Sequence, residues 1–119
     1  MNTVNELVNT AVKGIQEKKG RGIKIIDLTE MDGAICRYFV VCEGTNPQQT
    51  EAIAESVEDL IRIELHDKPA HIVGTENAQW IAMDYVDVMV HVFIPEAREF
   101  YDLENLWQDA PIKEIADLD

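Results

Sequence analysis

The sequence predicts a single α/β domain: a mixed five-stranded sheet, two long helices mainly on one face, and a short helix near the C-terminus. Three observations predict it. The chain has 119 residues, enough for one core that buries roughly two-thirds of the unfolded surface. Helical and strand periods succeed one another in the order α-β-β-α-β-β-β-α, with no internal repeat and no linker between them. Several strands are apolar at both parities, although two long helices can shield only about one face of such a sheet.

Taken in order, Val4, Leu7, Val8, Ala11, Val12 and Ile15 recur at helical spacing, with Thr3 placed to cap the start and Gly20 to close the end. Residues 22–28 and 35–42 are β-branched runs on either side of a Met31-Asp32-Gly33 turn. In Gly44-Thr45-Asn46-Pro47, Asn46 can cap a helix, Pro47 fits its first position and Gln49 its third. The helix that follows carries Ile53, Ala54, Val57, Leu60 and Ile61 on one side and Glu51, Glu55, Glu58 and Asp59 on the other. Residues 70–73 form a short strand. Residues 80–84 and 88–94 form two stronger ones, joined by a hairpin or tight reversal at Tyr85-Val86-Asp87. Pro95 ends the last strand, residues 96–107 form the third helix, and residues 110–119 are an acidic tail of the same 1–119 domain.

Because successive strand side chains alternate, Val88, Val90 and Val92 point to one face and Met89, His91 and Phe93 to the other. Ile81 and Met83 likewise oppose Trp80, Ala82 and Asp84, while Phe39 and Val41 oppose Tyr38, Val40 and Cys42. The valine face is the better core. Phe39, Trp80, Met89, His91 and Phe93 then form either an exposed interface or a face covered by the C-terminal segment or by a second copy.

The net charge of −13 disfavours direct contact with phosphate backbones or anionic membranes and favours encounter with basic proteins. The first residues lack the basic and apolar regions of a signal peptide, and no run is long enough to span a membrane. A cytoplasmic protein is expected. Cys36 and Cys42, if on one strand, stand roughly 20 Å apart and remain free thiols.

Few residues offer chemistry. Gly44-Thr45-Asn46 could present backbone N–H groups to an anion, but it lacks the lysine and glycine spacing of a phosphate-binding loop, and a capped helix start explains it equally. Asp84 and Asp87 are the one carboxylate pair near enough in sequence for metal-dependent phosphoryl transfer. Their odd separation sends them to opposite faces of a regular strand, and a turn would give each a local backbone partner. His66, His71 and His91 have no ligand spacing, so no metal or cofactor is expected, and Ser56, the only serine, lies within a helix.

Tyr38-Phe39-Val40-Val41-Cys42-Glu43-Gly44-Thr45, the W-hhh-D-Y-x-D-hhh-H string from Trp80 to His91 and the R-E-x-Y-x-L-E-x-L-W string from Arg98 to Trp107 resemble, in order and spacing, the ribosome silencing factor (Iojap-related) family. The resemblance implies a nucleotidyltransferase-like fold without the catalytic motif, often dimeric when free. It implies no enzymatic activity. It also implies docking on the large ribosomal subunit through its protein number fourteen, which blocks joining of the small subunit. Carried over by position, the docking residues are Trp80, Asp84, Tyr85, Asp87, His91, Arg98 and Tyr101. Tyr85 would be an apolar anchor, the two aspartates would meet basic groups, and His91 would be a donor. Arg98 could instead pair with Glu96 or Asp102. Val86 stands where the family usually has glycine, and a β-branched residue resists the positive φ of that turn.

Overall fold

The computed structural model describes residues 3–118. Helix α1 (Val4–Glu17) opens with the Thr3 capping box, in which Glu6 N–H donates to Thr3 and the Thr3 N–H donates back to Glu6. Strands β1 (Arg21–Asp27) and β2 (Tyr38–Glu43) follow, then helix α2 (Pro47–Leu65) and strands β3 (His71–Val73), β4 (Trp80–Asp84) and β5 (Val88–Phe93). The chain closes with short helices α3 (Pro95–Tyr101) and α4 (Leu103–Leu106) and strand β6 (Ile112–Glu114).

The sheet has six strands in the order β3-β4-β5-β2-β1-β6. Only the central pair, β2 with β5, is parallel, in the register Val40 opposite Val90. The sixth strand is the difference from the expected five. Ile112, Lys113 and Glu114 pair with Ile26, Ile25 and Lys24 at the β1 edge, and Asp117 accepts from the Gly22 N–H. Three residues carry too little period to be read as a strand in isolation. The expected third helix is divided at Asp102, whose φ of +50° breaks the helical path.

α1 and α2 lie side by side on one face, where Leu7, Ile15, Ile53, Val57 and Ile61 pack on Val40, Ile81, Met83, Val88, Val90 and Val92. The helices meet at Gly14: a Cβ there would stand 2.8 Å from Val57 Cα, and Ser56 Oγ donates to the Gly14 carbonyl at 2.7 Å. The opposite face carries Ile26, Phe39, Val41 and Phe93. Ala97, Leu103, Trp107 and Ala110 from the C-terminal segment and Met31, Ala34 and Cys36 from the β1–β2 loop cover it. No helix among the described residues is long and apolar enough to cross a membrane.

The close approach at Gly14 leaves no room for a methyl group without displacing Val57 backbone. Gly14→Ala is expected to lower stability by about 1 to 3 kcal/mol, as overpacking does, read as a lower urea midpoint at unchanged slope.

Candidate functional site: the second sheet face

Strand parity places the predicted residues as expected, with Trp80, Met89, His91, Phe93 and Phe39 all on the second face. Of the alternatives for this face, cover by the C-terminal segment holds over its middle. His91 is 3% exposed and Phe93 and Phe39 are buried, because the C-terminal segment lies over β2 and β5. That cover falls short of the β3–β4 edge. Trp80, Ala82, Asp84 and Met89 stay half-exposed there, and His71 and Val73, which pair with Asp84 and Ala82 on β3, are exposed.

His91 is a packing residue. Trp80 Nε1 donates to His91 Nδ1 at 3.0 Å, so the imidazole hydrogen resides on Nε2, which is buried and has no partner among the described residues. Phe39 meets the ring edge-on at 4.5 Å. Burial pulls its pKa down from 6.5 to about 4, which keeps the ring neutral.

Tyr85 is likewise no surface anchor. It is 5% exposed and packs in the cluster beneath α1 and α2. Burial, aided by Glu58 and Asp67, pushes its phenol pKa up. As the first residue after β4, it continues the inward parity of Ile81 and Met83, which the aromatic side chain alone did not reveal.

Arg98 pairs with neither Glu96 nor Asp102. Its Nε donates to Glu104 at 2.9 Å and its Nη1 to Glu43 at 3.0 Å, which clips α3 and α4 to the end of β2. These partners make it a brace for the cover.

The β4–β5 turn is tight. Asp84 Oδ1 accepts from the Val86 N–H at 2.8 Å, the Asp87 N–H donates to the Tyr85 carbonyl, and Val86 sits between them at φ +75°. An i to i+2 bond at positive φ marks a γ-turn, a strained geometry for a β-branched residue. Val86 adopts it while 66% exposed, so the turn keeps the conformation a glycine would take. The Asp87 side chain is at the surface, while its carbonyl accepts from the Arg37 and Tyr38 N–H groups. The two aspartates therefore serve the turn, as their spacing predicted for Asp84.

The Gly44 loop also spends its donors internally. Asn46 caps Gln49, Thr45 N and Oγ1 donate to Gln49 Oε1 at 2.7 and 2.8 Å, and Gly44 N donates to the Phe93 carbonyl. The Gly44 and Thr45 N–H groups are thus engaged within the chain. No group of three or more His, Cys, Asp or Glu among the described residues could hold a metal ion. Both thiols are free. Cys36 lies in the loop before β2 and not on the strand, and burial raises the two pKa values to about 11 for Cys36 and about 12 for Cys42.

Fold and surface together define a small mixed-sheet α/β domain whose polar groups hold its own turns and whose distinguishing feature is a sheet face left partly bare. The chain matches, over residues 1–119, the family described as ribosomal silencing factor during starvation, and it belongs to that family. It is 34% identical over 113 residues to the ribosomal silencing factor of Bacillus subtilis, covering 95% of this chain and 92% of the relative. A solved structure from Chromobacterium violaceum superposes with a TM-score of 0.85 at 28% identity, covering 90% of this chain and 88% of that one. A mouse relative named mitochondrial assembly of ribosomal large subunit protein 1 is 27% identical over 105 residues, 84% of this chain and 44% of its own length.

The buried imidazole makes a pH prediction. The unfolded chain binds a proton at His91 as pH falls through about 6.5, whereas the folded chain refuses it until about pH 4, so the stability present above the upper value is lost as pH falls across that window. Between pH 7 and pH 5 the loss should be about 2 kcal/mol. Urea unfolding of wild type and His91→Gln at both pH values checks it, and the variant should lack this part of the decline.

Proposed function

We propose that this chain is a non-enzymatic repressor of translation that acts in the cytoplasm by docking on the large ribosomal subunit, through its protein number fourteen, and blocking the small subunit sterically. The observation that carries the reading is the bare strip of the second sheet face at β3 and β4. Trp80, Ala82 and Val73 offer apolar area there, with Asp84 at its end, Asp87 in the adjoining turn and Tyr101 beside Trp80. An apolar strip beside acidic groups, on a chain of net charge −13, suits a basic protein surface.

Family membership supports a ribosome-associated silencing role, and the name of the mouse relative supports the large subunit. In this reading Trp80, Asp84, Asp87 and Tyr101 make contact. Tyr85, His91 and Arg98 act from beneath by holding strand, ring and cover in place. Docking through this strip would compete with any homodimer formed through the same face.

Added in excess to separated subunits, the protein should lower the fraction of joined ribosomes measured by gradient sedimentation; joining at the control level would reject the function. Asp87→Lys should slow association with purified large subunits, with a deficit that shrinks as salt rises. Unaltered, salt-independent binding would move the interface elsewhere.

A further inference from the structure

Trp80 is the second of four rings in a row. Phe93, sealed in the sheet, stacks on it at 5.1 Å; Tyr101 meets it at 4.5 Å with the rings tilted; Phe100 meets Tyr101 edge-on at 5.1 Å. Exposure rises outward, from a buried Phe93 through a half-exposed Trp80 to 49% at Tyr101 and 80% at Phe100. Neither Tyr101 nor Phe100 belongs to a core cluster. Folding therefore gains little from placing an aromatic ring at position 100, yet the ring is held by a stack rooted in the core.

The free charges that α3 itself sets beside the outer rings have one sign. On α3, Glu96 stands one turn before Phe100 and Glu99 beside it, both exposed, and Asp102 follows. Within residues 95–109 the only base is Arg98, and Glu43 and Glu104 already engage it. A second copy would set one acidic rim against another, and nucleic acid would be repelled outright.

We propose that Phe100 and Tyr101 form a preorganised aromatic anchor for an arginine-bearing segment of a basic protein, its guanidinium lying over the ring between Glu96 and Glu99. This rests on the docking function above and names what the partner presents at this corner. Arginine fits better than lysine because its planar, weakly hydrated guanidinium stacks on an aromatic face while pairing with carboxylates at its edge. The supported rings have little freedom to lose on binding.

The test titrates the full chain with hexa-arginine and with hexalysine and follows the Trp80 indole and the residue 96–106 amides by NMR. Localised shifts are expected, with hexa-arginine several-fold tighter than hexalysine and weakened about fivefold in Phe100→Ser, which alters an exposed position and should fold normally. Shifts spread evenly over the acidic surface, or an affinity indifferent to Phe100→Ser, would overturn the anchor. Sedimentation with large subunits separates the two ideas. Wild type failing to bind strikes the docking function, whereas wild type and Phe100→Ser binding equally strikes only the anchor.

Discussion

A strand sends its side chains alternately to two faces, so a sheet that is apolar at both parities has to be covered twice. That constraint organises this molecule. The first face is served by α1 and α2, whose stripes supply Leu7, Ile15, Ile53, Val57 and Ile61 and which approach closely because position 14 is glycine. The second face is served by far less: two short helices, a loop and the side chains of Ala97, Leu103, Trp107 and Ala110. The Arg98 clip to Glu43 and Glu104 holds this thin cover to the end of β2, and it stops before the β3–β4 edge.

Polar groups throughout are used to hold this arrangement. Gln49 receives the Thr45 donors and itself donates to the Lys18 carbonyl, tying the α2 cap to the end of α1. Asp84 closes the hairpin, and Asp117 anchors the tail to β1. The polar groups at the chain's tightest turns have partners within it. What remains exposed at the edge of the second face is apolar area with acidic groups beside it, the composition expected of a protein contact.

Much of this was legible in the sequence, because most of it is local. The Thr3 and Asn46 caps, the helical stripes and the opposed parities of β2, β4 and β5 depend on residues a few positions apart. What the sequence leaves open is long-range. Whether Phe39, His91 and Phe93 are exposed depends on Trp107 and Ala97 returning over them, and one of the two partners of Arg98, Glu43, lies 55 positions away. Neighbours such as Glu96 and Asp102 were the nearer choices. For Tyr85 the parity after Met83 points inward, whereas its place in the family string alone implies contact. Val86 shows the limit of propensity: the ladder on either side imposes the positive φ that a β-branched side chain disfavours.

The bare strip on β3 and β4 is the feature on which the functional account turns. Amide hydrogen exchange of the protein alone and bound to purified large subunits measures it directly. Slower exchange across residues 71–84, with α1 and α2 unchanged, is the predicted result. Protection of the α1–α2 surface with residues 71–84 unaltered would contradict it.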